Sequence, residues 1–315
     1  MEPARKFFVI LKKIRRTPNQ QTQVTMHTPK ALHILAVVAA AMLTACTGSH
    51  RRPTLAVSVE PQRALLQEIV GDKYQVVTLL SNGANPETFD PTIKTRTDVD
   101  NADIYFTTGF LPFEKGIAET LNPEVKVADT SAGITPIYGT HSHHHDGEAA
   151  EHLHDSNEAD PHTWASVRNA RTIAANMARE VMAVDPANAE FYRANLARLT
   201  SRLDSLDAAI TAKMASAASR AFAVWPPSLS YFARDYGLQQ LSVGFENKEV
   251  SPRQMARVTD EAREHGVRVF FFQADYDSRQ AATLNKAMGT RMVTINPLAY
   301  DWEAELTKVA DELTK

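Results

Sequence analysis

Asp185-Pro-Ala-Asn-Ala-Glu-Phe-Tyr-Arg-Ala-Asn-Leu196-Ala-Arg-Leu199-Thr-Ser-Arg-Leu203-Asp-Ser-Leu206-Asp-Ala-Ala-Ile210-Thr-Ala-Lys-Met214 is the stretch on which the fold turns. Leu196, Leu199, Leu203, Leu206, Ile210 and Met214 recur every three or four residues, with Arg198, Arg202 and Asp204 between them. That period belongs to an amphipathic helix. It predicts one helix of roughly 30 residues, about 45 Å long at ~1.5 Å per residue. Asp185 is its expected N-cap and Pro186 sits in its first turn. The apolar stripe lasts barely three heptads, so it predicts packing onto a core and not a coiled-coil seam. Ala165 to Met182 reads as another long helix directly before it.

On either side of these helices the pattern changes to short strands and shorter helices. Before them come strand Leu55–Val59, helix Pro61–Val70, strand Gln75–Leu80, helix Thr92–Asn101, strand Asp103–Thr108, helix Phe113–Leu121 and strand Lys126–Ala128. After them come strand Ala221–Val224, helix Leu229–Tyr236, strand Leu241–Val243 and helix Pro252–His265. Strand Val267–Phe272, helix Arg279–Met288, strand Met292–Ile295 and a helix from Trp302 complete the series. Strands separated by helical crossovers build parallel sheets. The expected architecture is therefore α/β: two lobes, each a parallel sheet with flanking helices, joined by a long backbone helix. The expected divisions are an N-terminal lobe at 54–164, linking helices at 165–218 and a C-terminal lobe at 219–315. A ligand would lie between the lobes, near the carboxyl ends of the strands.

The N-terminal 45 residues are a targeting segment and do not enter the fold. Lys30 precedes an apolar run from Ala31 to Leu43, which ends in Leu43-Thr-Ala-Cys46. The run is short for a membrane span, which takes about 20 apolar residues. Met26 is the expected true start, because from there the signal has ordinary proportions. Leu-Thr-Ala-Cys looks like a bacterial lipobox, in which Cys46 is lipidated and becomes the mature N-terminus. An ordinary signal peptide with a chance cysteine is the competing reading. Cys46 is the chain's one cysteine and 46–53 reads as a polar tether, both favouring the lipid. Stability must then come from packing without disulfides. The expected location is outside the cytoplasm, anchored by lipid, in the periplasm or on the outer face of the cell membrane.

A net charge of -3 without a basic stripe argues against nucleic acid as a partner. The chain carries no His-Glu-x-x-His, no Gly-x-Ser-x-Gly, no phosphate-cradling glycine loop and no dinucleotide fingerprint, so an enzyme is not expected. Six of the 11 histidines, His141, His143, His144, His145, His152 and His154, fall within 141–154 among acidic residues. Imidazole is the commonest protein metal ligand. Such a tract collects zinc or similar ions and has no apolar run with which to pack. The competing reading is a solvated loop. A purification tag would be terminal and uninterrupted.

Several ordered pieces then resemble one family. These are Gly83-Ala-Asn-Pro-Glu-Thr-Phe-Asp-Pro-Thr92, Asn101-Ala-Asp-Ile-Tyr-Phe106, Asp160-Pro-His-Thr-Trp164, Ser230-Tyr-Phe-Ala-Arg-Asp-Tyr-Gly-Leu238 and Asn296-Pro-Leu298. Together they resemble the cluster A-I metal-binding solute-binding proteins of ABC importers, over essentially all of 54–315. The resemblance implies capture of a divalent ion, zinc first and manganese or iron as alternatives. It also implies delivery to an ABC permease and ATPase by a monomer held at the membrane through its lipid. A metal buffer or adhesin of the same fold, without transport, is the alternative function.

The resemblance also implies four ligand positions. Glu87 stands where the family usually has histidine, changing the donor's hardness without emptying the position. His162 fills the family's histidine in Asp-Pro-His-Thr-Trp. Pro226 occupies the third position and has no side-chain donor. Asn296 replaces the usual aspartate and offers a neutral carbonyl oxygen. Asp275 is the substitute carboxylate, with a turn or N-cap aspartate as its competing reading.

Overall fold

Leu55 and Val57 point to one side of their strand and Ala56 to the other, and all three are fully buried. A strand of this kind needs cover on both faces, as parallel sheets with helical crossovers provide. The computed structural model describes residues 52–80, 86, 89–139, 159–243, 251–273 and 278–315. The targeting segment, Met26, Cys46, Glu87, Asp275 and all six histidines of 141–154 lie outside the described residues.

Among the described residues there are two four-stranded parallel sheets with the same topology. The first contains β1 (Thr54–Val57), β2 (Gln75–Thr78), β3 (Ile104–Thr107) and β4 (Lys126–Asp129) in the order β2-β1-β3-β4. Leu55 lies opposite Val76 on one side and Ile104 on the other. The second contains β5 (Ala221–Trp225), β6 (Gln239–Ser242), β7 (Val269–Gln273) and β8 (Arg291–Ile295) in the order β6-β5-β7-β8. In each sheet the chain turns back at the first strand, which opens a crevice beyond the strands' carboxyl ends.

The crossover helices of the first sheet are α1 (Glu60–Val70), α2 (Ile93–Asp100) and α3 (Pro112–Ala118). Then come the two long helices, α4 (Val167–Val184) and α5 (Ala189–Ala215). Those of the second sheet are α6 (Ser230–Tyr236), α7 (Pro252–Glu264) and α8 (Ser278–Met288), and α9 (Trp302–Leu313) closes the chain. Side-chain caps start several of them: Thr92, Ser166 and Ser251 accept from the amides of Thr95, Asn169 and Gln254. Each cap satisfies one of the first-turn donors that a helix leaves without an internal partner.

The periodic stripe behaves as its spacing predicts. Leu199, Leu203, Ile210 and Met214 are buried on α5, with Leu196 and Leu206 packed partly against them. Their core is continuous with Leu55 and Phe106 of the first sheet and with Phe222 and Phe271 of the second. One apolar interior thus runs from sheet to sheet through the long helices. Asn195 adds a polar fastening, donating from Nδ2 to the Ile69 carbonyl at the end of α1, 2.9 Å away. The helix start differs from expectation. Pro186–Asn188 form a 3-10 turn before α5, and the Asp185 side chain makes no capping hydrogen bond. Its carboxylate instead accepts from the Tyr192 hydroxyl at 2.5 Å and Asn188 Nδ2 at 2.8 Å. Among the described residues no helix is long and apolar enough to cross a membrane.

Candidate metal centre

The Asp160-Pro161-His162-Thr163-Trp164 segment enters α4 as a tight local turn. Asp160 Oδ1 accepts from the His162 backbone amide at 2.9 Å and from His162 Nδ1 at 2.8 Å. Proline between them has no N–H to compete for the carboxylate. Thr163 N donates to the Pro161 carbonyl, Ala165 N to that of His162, and Asn169 Nδ2 reaches back to the Thr163 carbonyl. His162 is 4% exposed and Asp160 fully buried. Burial alone would push the Asp160 carboxyl up, but the His162 charge and its two hydrogen bonds hold it below the usual range. In the neutral ring, a carboxylate accepting from Nδ1–H leaves the lone pair on Nε2, the arrangement that prepares an imidazole for a metal.

Trp164 joins this turn to the second sheet. Its ring lies 5.2 Å from that of His162, and Nε1–H donates to the Pro297 carbonyl at 2.9 Å. Trp164 and Leu298 share an apolar cluster with Val59, Leu80 and Leu111, all at the carboxyl ends of first-sheet strands or just beyond. The Asp-Pro-His-Thr-Trp and Asn-Pro-Leu motifs, distant in sequence, are therefore brought together at the mouth of the crevice.

The loop that presents Leu111 is anchored by a buried carboxylate. Glu114 accepts from Ser58 Oγ at 2.5 Å, Thr108 N at 2.6 Å, Gly109 N at 3.0 Å, Thr108 Oγ1 at 3.1 Å and Leu111 N at 3.3 Å. Burial pushes its carboxyl up, against the bonds from Ser58 and Thr108 that favour the charged form. Gly109 makes the turn possible, with φ near +90° and Ser131 Oγ 2.5 Å from where a Cβ would stand.

At the second sheet the predicted donor positions carry different chemistry. Pro226 follows β5 and supplies only its carbonyl. The fully buried Ser228 takes a hydrogen bond from Gln273 Nε2 at 3.0 Å, so the ends of β5 and β7 meet through neutral groups. Asn296 is exposed and holds its own turn, its Oδ1 accepting from Leu298 N at 3.1 Å while its amide donates to Glu305 Oε2 at 2.9 Å. One lone pair of Asn296 Oδ1 is thereby engaged. Among the described residues no three histidine, cysteine or acidic side chains gather into a group that could hold a metal. Of the expected donors, the structure places His162 and Asn296 on either side of the Trp164–Pro297 bond; Glu87 and Asp275 fall outside the described residues. Asp160 is the participant whose role its position in the motif did not disclose, although its spacing two residues before His162 is the local signal for an aspartate-held turn.

A family model described as the periplasmic component A of the zinc-uptake complex matches residues 55–313. The chain belongs to this family. The family supplies the binding component of an uptake system, and the chain is not an enzyme. Zinc-binding protein AdcA of Streptococcus pyogenes is 27% identical over 265 residues, covering 78% of this chain and 50% of AdcA. The chain spans about half the length of the AdcA relatives it matches. The high-affinity zinc uptake system protein ZnuA of Bacillus subtilis is 26% identical over 246 residues, covering 76% of each chain. A crystal structure of ZnuA superposes with a TM-score of 0.73 at 29% identity, covering 83% of this chain and 98% of its own. A Zn(II)-bound mutant of AdcAII from Streptococcus pneumoniae gives 0.70 at 25% identity, covering 83% and 98%.

Proposed function

We propose that the protein captures a divalent metal outside the cytoplasm, zinc in the first place, and hands it to an ABC permease and ATPase. The observation that carries this reading is the buried imidazole of His162, oriented by Asp160 at the mouth of the crevice between two parallel sheets. A histidine whose second nitrogen is held by a carboxylate is a metal ligand in waiting, its ring orientation and basicity set in advance. His162 and Glu87 are the principal donors, with Asp275, or Asn296 through its second lone pair, closing the shell. Manganese and iron are the alternatives that an oxygen-rich shell admits. Lipid on Cys46 tethers the protein, and the 141–154 tract collects ions loosely without supplying a principal ligand. The protein acts as a monomer of two lobes, 54–164 and 219–315, joined by the helices of 165–218.

The engaged oxygen of Asn296 and the absent donor at Pro226 favour one second reading, a metal buffer without transport. Elemental analysis of untagged protein, followed by competitive zinc titration, tests the first step and should find one tightly held ion per chain. Protein without a tight site would sink both readings. Growth of a strain lacking the protein under zinc limitation separates them, since only loss of a transport component lowers zinc uptake.

A further inference from the structure

The segment that carries His162 is gripped from the other sheet. Tyr231 lies on α6, just past the Pro226-Pro227-Ser228 stretch, and is fully buried. Its hydroxyl donates to the Asp160 carbonyl at 2.8 Å and receives the Ile137 amide at 3.4 Å. Asp160 N in turn donates to the Ile137 carbonyl at 2.7 Å, and Tyr138 pairs with Ala159 in an antiparallel bridge. One phenol oxygen therefore ties together the two chain segments that flank 140–158, two residues ahead of His162. Arg234, one helical turn on, holds the same edge by donating to the Thr135 carbonyl at 3.0 Å and Asn169 Oδ1 at 3.1 Å, with its guanidinium 5.0 Å from the Tyr231 ring centre. Ser230 helps to hold the Asp160 carboxyl down while receiving Gln240 Nε2 at 2.8 Å. Burial raises the Tyr231 hydroxyl to about 12, so it remains a donor throughout the neutral range.

We propose that Tyr231 is a positioning residue for metal capture, holding the Asp160–His162 turn from the second lobe so that the imidazole is presented in one place. This rests on the reading of His162 as a ligand. It gives the α6 segment a part in the site even though Pro226 contributes no side-chain donor: the second lobe acts on the metal through a hydrogen bond to the backbone of the turn that carries the first lobe's ligand. A tyrosine that merely fills the core would need its ring and not its hydroxyl.

The test compares Tyr231→Phe with Tyr236→Phe. Tyr236 stands at the other end of the same helix and loses a bond from its hydroxyl to Asp207 Oδ1 at 2.8 Å, which does not involve the Asp160 turn. Zinc affinity is measured with a chromophoric competitor, and the ligand field is read from the visible spectrum of the Co(II)-loaded protein. Tyr231→Phe should weaken zinc by roughly 10–100-fold, the range for groups that orient a ligand, and alter the cobalt spectrum. Tyr236→Phe should lower thermal stability and leave both metal readouts as in the wild type. Unchanged affinity in Tyr231→Phe, or equal losses in the two variants, overturns the proposal. If Tyr231→Phe is not recovered folded, Ser230→Ala decides: it should weaken zinc to a smaller degree, and wild-type affinity overturns the proposal. His162→Ala binding zinc as tightly as wild type would instead overturn the site reading, and this inference with it.

Discussion

The two sheets share one topology and, among the described residues, end in different chemistry. At the carboxyl ends of β1 to β4 stand a carboxylate-held imidazole and Glu114, which accepts five hydrogen bonds. At the ends of β5 to β8 stand prolines, the Ser228–Gln273 pair and an asparagine that holds its own turn. Among the described residues the first half presents an oriented imidazole and buried carboxylates, while the second presents mainly neutral groups at the ends of β5 and β7 and braces the first. Repeating a fold therefore does not repeat a donor set, because the loops beyond the strands are free to differ while the sheet pairing stays the same.

The most direct way to break this comparison is to remove a donor from each half. His162→Ala should lower zinc affinity by at least the roughly hundredfold that changes behind a ligand reach, whereas Asn296→Ala, which removes a neutral donor at most, should cost distinctly less. Competitive titration of both variants measures the difference, and comparable losses would mean that the second half donates as strongly as the first. Deleting residues 141–154 sharpens the same contrast. Weak binding of several ions should vanish while the single tight site survives, because Tyr138 and Ala159 already close the neck below the deletion. Loss of the tight ion would show that the tract supplies a principal ligand.

A smaller effect separates the two halves in stability. Glu114→Gln places an amide NH2 against groups that all donate, and should cost about 1–3 kcal/mol for each donor left unpaired. Gln273→Ala removes one neutral bond to Ser228 and should cost only ~0.5–1.5 kcal/mol. Urea unfolding of the two variants gives the ordering, and the reverse order would contradict it.

The smallest effect concerns the hinge between α4 and α5, which belongs to neither half. The Tyr192 hydroxyl, first among its partners, together with Asn188 holds the Asp185 carboxyl below its usual range. A depressed acid stabilises the fold above its unfolded value, about 3.9, and loses that contribution as pH falls through the lower folded value. Wild type should therefore exceed Asp185→Asn in stability at neutral pH, and the gap should close in acid below about pH 4. A gap that stays constant down to pH 2 to 3, about one to two units below that carboxylate value, would show that Asp185 acts without its charge.

Most of the scaffold was legible because its signals are local. Leu199, Leu203, Ile210 and Met214 carry the helical period in their spacing, and burial follows it. Strand ends were less legible. Leu79 and Leu80 read as a continuation of β2, yet the strand ends at Thr78; their amides still donate to the Val57 and Ser58 carbonyls, while Leu79 packs with Ala56 and Tyr105 and Leu80 with Val59 and Leu111. Apolar character marks a buried position without saying whether a neighbouring strand reaches that far. Of the candidate site, His162 stood out by motif, whereas the part of Asp160 was missed, although its bond to His162 closes within one turn. Pro226 and Asn296 were legible as departures from the family pattern. The engagement of Asn296 Oδ1 by Leu298 N belongs to the turn geometry and had no separate mark in the spacing.

By itself the sequence determined the alternation of strands and helices, the long helix between two α/β halves, the family and the candidate donors. All of these reside in residue type and short spacing, which period, capping and motif order record directly. Only the tertiary structure decided that one core runs through both sheets, that Trp164 meets Pro297, and that Tyr231 holds the turn carrying His162 from 71 residues away. Those contacts depend on how packed helices carry distant groups within hydrogen-bond range. A buried carbonyl such as that of Asp160 must find a donor, but nothing in the order of residues says from which lobe it comes.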